Sequence, residues 1–80
     1  MHIYISNLSG DTTSEDIGKI LSNFNNFSVS KVTTIRNSET KLLNTFAFIH
    51  IEDDNQATAV MSLLNNTTLH NCKLLAKEAS

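Results

Sequence analysis

The segment from residue 44 to residue 51 constrains the fold of this chain more than any other. Read with the period of two of a β-strand, it puts Phe46, Phe48 and His50 on one face. The other face carries aliphatic side chains: Ala47, Ile49 and Ile51. Because both faces are largely apolar, one must pack on a core and the other must be covered by something else.

The segments before this strand predict a strand, a helix and a second strand. Residues 3–5 alternate, with Ile3 and Ile5 on one face and Tyr4 on the other. Thr13 is the candidate N-cap of a helix that is expected to end between residues 23 and 26. Its apolar stripe has helical spacing: Ile17, Ile20, Leu21 and Phe24. The β-branched content from Val29 to Arg36 predicts the second strand.

The segments after the aromatic strand predict a helix and a last strand. Asp54 is the expected N-cap of the second helix, and residues 65–68 are expected to close it. Its apolar stripe repeats the same spacing: Ala57, Val60, Met61 and Leu64. Residues 69–71 then form a short connection, and Lys73 to Lys77 reads as the last strand.

The resulting order is β-α-β-β-α-β over a single domain, residues 1–80. Right-handed β-α-β crossovers make this an α+β, ferredoxin-like sandwich, in which a four-stranded antiparallel sheet carries two helices on one face. The side chains expected under the helices are Ala47, Ile49, Ile51, Ile3, Ile5, Val32, Thr34, Leu74 and Ala76. The open face is expected to carry Tyr4, Phe46 and Phe48.

Composition excludes several classes of function. The net charge is -2, so charge alone cannot hold a nucleic acid, and stacking must contribute more. Cys72 is the single cysteine and the three histidines have no ligand spacing, so no disulfide, metal or cofactor is expected. No catalytic set of carboxylates or nucleophiles is discernible, so the chain is not expected to be an enzyme. Without a signal peptide or a membrane-spanning apolar run, a cytoplasmic protein is expected.

At this point the chain resembles an RNA recognition motif domain. The run Ile3-Tyr4-Ile5-Ser6-Asn7-Leu8 resembles the family's short motif at every constrained position. Residues 44–51 resemble its longer motif, K/R-G-F/Y-G/A-F-V-x-F/Y, with fits at residues 46–48 and a conservative change at Ile49. Three positions depart from the longer motif: Asn44, Thr45 and Ile51. With Met1 two residues before the first strand, the chain also resembles short stand-alone bacterial members of the family.

The resemblance implies single-stranded RNA as the partner, and single-stranded DNA remains an alternative. It makes Tyr4, Phe46 and Phe48 the base-stacking platform. Asn44 replaces a basic residue that would meet a phosphate, and Thr45 replaces a glycine, which is expected to narrow the approach of a nucleotide. The full set of expected RNA-contacting residues is Tyr4, Asn7, Lys31, Arg36, Lys41, Asn44, Phe46, Phe48, Lys73, Leu75 and Lys77.

A second interpretation uses the same open face for a protein partner or for homodimerisation. It is motivated by the acidic balance and by additional apolar side chains: Ile35, Leu42, Leu43 and Leu75. If Ile35 and Leu75 share the aromatic face, the apolar patch exceeds what a monomer usually exposes. The same residue pattern therefore supports a nucleic-acid-binding module and, as the alternative, a protein-interaction module.

Overall fold

The computed structural model describes residues 1–79, and residue 80 lies outside the described residues. Strands and helices alternate in the order that the sequence predicts, with additional short strands. The elements are β1 (His2–Ser6), α1 (Ser14–Ile20), β2 (Phe27–Val29), β3 (Thr33–Arg36), β4 (Leu43–Ile51), α2 (Asp54–Asn65), β5 (Thr68–Leu69), β6 (Cys72–Lys73) and β7 (Leu75–Ala79).

The main sheet is antiparallel, with β1 and β4 at its centre. Its order is β2-β4-β1-β7, and β3 also pairs with β4. The buried aliphatic side chains of the sheet pack with those of both helices in one core: Ile3, Ile5, Leu8, Ile17, Leu21, Ala47, Ile49, Ile51, Ala57, Val60, Leu64 and Leu74. The α+β, ferredoxin-like architecture is therefore confirmed, and the other sheet face carries the aromatic rings.

Helix α1 begins at the predicted cap and ends earlier than predicted. The Thr13 Oγ1 accepts from the Asp16 backbone N–H at 3.2 Å, and the Asp16 carboxylate accepts from the Thr13 N–H at 3.0 Å. This reciprocal pair satisfies two N–H groups at the helix start. The last α-helical residue is Ile20, after which the Phe24 N–H donates to the Leu21 carbonyl in a tighter turn. The expected end at residues 23–26 is therefore wrong.

Helix α2 is capped by Asp53, not by Asp54 as the sequence suggests. The backbone of Asp53 is extended, and its carboxylate accepts from the N–H groups of Asn55 and Gln56 at 2.9 and 3.3 Å. Asp54 is already the first helical residue. The predicted inward stripe is confirmed, since Ala57, Val60 and Leu64 are buried and Met61 is partly buried.

The predicted strand from residue 29 to residue 36 is two strands separated by a bulge. Val29 lies opposite Ile49 in the first, and Thr33 lies opposite Phe46 in the second. Between these two pairs, the chain from β2 to β3 advances four residues while β4 advances three. The connection between β2 and β3 therefore contains one extra residue. Ser30 bridges the gap, because its N–H donates to the Phe48 carbonyl and its hydroxyl accepts from the Phe48 N–H, both at 2.9 Å.

Val32 and Thr34, the two residues of this segment that are expected under the helices, differ in their burial. Val32 is partly buried against the core, as expected. Thr34 lies on the helix side by its register with Thr45, but it is exposed. The expectation that Thr34 lies under the helices is therefore wrong.

The segment after α2 contains a small hairpin that the sequence reading missed. β5 pairs with β6 through a two-residue turn, His70 and Asn71, whose φ angles are 51° and 65°. Two consecutive left-handed residues are typical of a type I′ hairpin turn. The predicted last strand is consequently displaced: Lys73 belongs to β6, and β7 starts at Leu75.

Two side-chain contacts fix this region to the helices. The Asn65 amide donates to the Ala76 carbonyl at 2.9 Å and accepts from the Ala76 N–H at 2.8 Å, which joins the end of α2 to β7. The His70 Nε2 lies 3.1 Å from the Asp16 carboxylate, which joins the β5–β6 hairpin to the start of α1. Within residues 1–79, neither helix is long and apolar enough to cross a membrane.

Replacing the cap of α2 should identify the residue that satisfies the helix start. We expect Asp53→Ala to lower the free energy of unfolding by about 1 kcal/mol, because two N–H groups lose their acceptor. Asp54→Ala should lower it by roughly 0.3–0.5 kcal/mol, through the helix dipole alone. Urea unfolding of both variants measures the difference, and a larger loss in Asp54→Ala would contradict the observed cap.

Acid should weaken the contact between α1 and the β5–β6 hairpin. The hydrogen bond from His70, followed by that from the Thr13 backbone, holds the pKa of Asp16 below its usual value of 3.8. A lowered carboxyl pKa stabilises the fold above the unfolded-state pKa, and this stabilisation is lost as pH falls through the folded-state pKa. We therefore expect Asp16→Asn to be less stable than wild type near neutral pH, with a difference that shrinks in strong acid. Urea unfolding across a pH series measures it, and a difference independent of pH would contradict the linkage.

Candidate nucleic-acid interface

Three aromatic rings form a cluster at the centre of the open sheet face. Tyr4 lies 5.8 Å from Phe46 and 5.3 Å from Phe48 between ring centroids, and the two phenylalanines are 6.1 Å apart. The Phe48 side chain is 41% exposed, while Tyr4 and Phe46 are half-buried. We call this set the aromatic platform. The structure thus brings together the three residues expected to stack bases.

The core on the opposite sheet face keeps the platform exposed. Tyr4 lies opposite Phe48 in the β1–β4 ladder, and the neighbouring pair Ile3 and Ile49 is fully buried under the helices. Because successive side chains of a strand alternate between faces, burying the isoleucines directs the rings outward. Each buried isoleucine contributes about 1.5–3 kcal/mol. The burial of aliphatic side chains that stabilises the fold therefore also directs the rings of the platform outward.

A cleft of about 250 Å³ extends from the platform toward the β3–β4 hairpin. The residues that line it are Tyr4, Ser6, Asn7, Leu8, Ile35, Leu43, Asn44, Thr45 and Phe46. Ile35 lies opposite Asn44 in the β3–β4 ladder, so both share the face of the rings. Leu75 lies opposite Ser6 at the other border of the face and is 53% exposed. The expected residues Asn44 and Leu75 therefore flank the platform.

Thr45 does not narrow the approach to the rings, which corrects the sequence-based expectation. Its side chain is buried on the helix side of the sheet, and its hydroxyl lies 2.8 Å from that of Thr34. By its register, Thr45 alternates with Asn44 and Phe46 and so faces away from them. The threonine that replaces the family's glycine therefore joins β3 to β4 and leaves the open face clear.

The five expected cationic residues lie at different distances from the platform. The Lys77 ammonium sits 5.6 Å from the centroid of the Tyr4 ring, as in a cation–π contact, so it borders the platform directly. Lys31 is exposed in the bulge, Lys73 is exposed in β6, and Lys41 is at the tip of the β3–β4 hairpin. Arg36 lies opposite Leu43, so its register directs it to the face away from the rings.

Asn7 has a structural contact at the end of β1. Its φ is 62°, a left-handed conformation that asparagine tolerates, and its amide donates to the Lys73 carbonyl at 2.7 Å. The chain therefore turns at Asn7, and β1 is tied to the β5–β6 hairpin. The amide oxygen has no role in this bond, so a base contact by Asn7 stays a prediction.

The open face also contains residues that the sequence reading did not assign to the site. His2 lies opposite His50 in the β1–β4 ladder, and Ser6 lines the cleft. The alternation that exposes Tyr4 also exposes residues 2 and 6, so this signal was present in the sequence. Within the described residues, no group of three or more His, Cys, Asp or Glu side chains is arranged to hold a metal ion.

The comparison with protein families gives one match across most of the chain. A family model described as the RNA recognition motif matches residues 3–75. Comparison with curated protein sequences gives no significant match.

Solved structures with the same architecture include several proteins. The crystal structure of RNA Binding Protein PG1 is 30% identical, with a TM-score of 0.70, over 99% of this chain and 93% of that chain. The third RRM domain of Mip6 is 20% identical, with a TM-score of 0.76, over 99% and 92%. The RRM of Rna15, solved with bound RNA (GU), is 23% identical, with a TM-score of 0.69, over 99% and 82%.

Proposed function

The chain belongs to the RNA recognition motif family, and from this membership we propose that it binds single-stranded RNA on the open face of its sheet. The observation that carries the proposal is the exposed platform of Tyr4, Phe46 and Phe48. The likeness to PG1, an RNA-binding protein by its name, and to the Rna15 domain with bound RNA supports the same ligand. The proposed function is binding, without a catalytic step.

Stacking supplies most of the proposed binding energy. Two or three bases lie on the platform, and each stacked base contributes roughly 1–3 kcal/mol. A ring separation of 5.3–6.1 Å gives neighbouring bases separate rings within one continuous apolar surface. Unstacked bases of a single strand can make this contact, whereas bases within a duplex cannot.

The cleft beside Phe46 provides the polar groups that would read base edges. Ser6 and Asn44 line it together with the aromatic ring, and both side chains can donate and accept hydrogen bonds. A base stacked on Phe46 has its edge within this cleft. We therefore propose that base preference arises here, while the rings themselves accept any base.

Phosphate contacts are few in the proposed complex. Lys77 borders the platform, and Lys31, Lys41 and Lys73 are exposed on connecting segments or short strands around it. Arg36 can contribute only if the RNA passes around the sheet edge, because its register directs it away from the rings. About two to four phosphate contacts correspond to a salt slope of roughly -1.4 to -2.8 for a single strand.

A second candidate function is homodimerisation or protein binding through the apolar side chains next to the platform. Leu42 and Leu43 at the hairpin are 66% and 60% exposed, and Ile35 and Leu75 are each 53% exposed. Burying Ile35 and Leu75, which share the face of the rings, would cover the platform and compete with RNA. Sedimentation at several protein concentrations separates the two functions, since a tight dimer that RNA does not dissociate favours the second.

Removing two rings of the platform should abolish most of the binding. We expect Phe46→Ala/Phe48→Ala to weaken binding of a random-pool single-stranded RNA by about 30-fold or more, which corresponds to about 2 kcal/mol of lost stacking. Fluorescence anisotropy measures the affinity. A matched DNA pool tests whether the 2′-hydroxyl contributes.

The control for this variant is Leu63→Ala, which truncates an exposed leucine on α2. It should bind RNA like wild type, because α2 packs on the other sheet face. Circular dichroism checks that all variants fold. Unchanged RNA binding by a folded Phe46→Ala/Phe48→Ala protein would overturn the stacking mechanism.

Restoring a cation at the start of β4 should add one phosphate contact. Asn44 is exposed on the platform's face, so we expect Asn44→Lys to tighten RNA binding and to steepen the salt slope by about 0.7. Asn44→Gln, which adds length without charge, is the matched control. A salt titration by anisotropy measures both slopes, and equal slopes in the two variants would show that no phosphate passes this position.

A further inference from the structure

A third row of rings continues the open face beyond Tyr4 and Phe48. His2 lies opposite His50 in the β1–β4 ladder, one side-chain row further along. The two imidazole centroids are 4.5 Å apart, with an angle of 46° between the rings. His2 is exposed and His50 is half-buried, so the pair is accessible from the face that carries the platform.

The row extends across β2 through Ser28. Ser28 is exposed and lies opposite His50 in the β2–β4 ladder, so its hydroxyl shares the face of the imidazoles. A cavity of about 200 Å³ adjoins His50 and is also lined by Asn26, Phe27 and Glu52. Imidazole, hydroxyl and amide groups are hydrogen-bond donors suited to a phosphate.

The burial of the His50 Nδ1 leaves one ring nitrogen for a ligand. Its Nδ1 is buried and has no hydrogen-bond partner within residues 1–79. The ligand-accessible nitrogen is therefore Nε2. In the imidazolium form both ring nitrogens carry hydrogen, so Nε2 then donates to an anion.

Within residues 1–79, no carboxylate forms an ion pair with His2 or His50. Within residues 1–79, the single imidazole–carboxylate pair is that of His70 and Asp16, on another part of the fold. The Met1 ammonium is occupied by the Ile51 carbonyl at 2.6 Å.

Few other titratable groups border the pair. Glu52 is the carboxylate that lines the adjoining cavity. On β7, Glu78 lies opposite Ile3 and so shares the helix side, Ala79 lies opposite His2, and Lys77 lies one row away beside Tyr4.

We propose that His2, His50 and Ser28 form a phosphate-binding subsite that extends the RNA face by one row. The proposal rests on the proposed function, because the RNA strand crosses the platform before it reaches this row. Two imidazolium rings 4.5 Å apart repel one another, and a phosphate beside them relieves that repulsion. RNA binding is therefore coupled to proton uptake, and affinity rises as the imidazoles become protonated.

The test compares RNA affinity at two pH values. A fluorescein-labelled oligouridylate is titrated with the protein at about pH 8 and about pH 6, which bracket the usual imidazole pKa, at fixed ionic strength. We expect about three- to ten-fold tighter binding at the lower pH, and a salt slope steeper by about 0.7 for one added phosphate contact. Uracil has no basic ring nitrogen that would titrate in this range.

Matched variants assign the effect to the pair. His2→Gln/His50→Gln keeps polar side chains that do not titrate, so we expect its affinity to be independent of pH. His70→Gln, which alters the third histidine at the β5–β6 turn, should retain the full pH dependence. Circular dichroism at both pH values checks the folded state.

The outcomes separate the subsite from the proposed function. Affinity that depends on Phe46 and Phe48 but not on pH overturns the subsite and leaves the proposed function standing. A pH dependence that persists in His2→Gln/His50→Gln also overturns the subsite. Affinity at about pH 8 that is unaffected by Phe46→Ala/Phe48→Ala overturns the proposed function, and absence of binding at both pH values overturns both.

Discussion

The antiparallel pairing of β1 with β4 is the constraint on which the remaining structure depends. It sets Tyr4 opposite Phe48 on one face and Ile3 opposite Ile49 on the other, so one register creates both the core and the platform. A slip by one residue would expose the isoleucines and bury the rings. The loss of several buried aliphatic side chains, at about 1.5–3 kcal/mol each, prevents such a slip. The packing of the core therefore also holds the rings of the open face in place.

The bulge at residues 30–32 gives the open face a second set of side chains. Val29 packs against the core, yet Thr33 and Ile35, which have the same parity, lie on the face of the rings. A continuous strand would put all three on one side. The extra residue reverses the alternation, and Ser30 replaces the missing ladder contacts through its backbone N–H and its hydroxyl. Because of this reversal, Ile35 lines the cleft beside Phe46.

The sequence predicted those features that depend on periodicity, and it failed where the outcome depends on backbone angles or register. Alternation identified the platform, and helical spacing identified both buried stripes. Asp53 and Asp54 carry the same carboxylate, so only the extended backbone at Asp53 decides which one caps α2. The run of β-branched residues in β2 and β3 gave no sign of the extra residue between them. Likewise, alternation exposes His2 and His50 separately, but their pairing requires the register of two distant strands.

In the proposed function, the chemistry of the open face favours one form of nucleic acid over another. Duplexes are held largely by phosphate contacts, and a chain with a net charge of -2 provides few of them. Rings can stack only on bases that are not already stacked in a duplex, so the proposed stacking on Tyr4, Phe46 and Phe48 would select single strands. Asn44 strengthens this selectivity, because a cation at that position would attract the backbone of any nucleic acid. In the proposed function, a face built from rings, amides and imidazoles therefore discriminates by strand state, which a strongly basic surface would not.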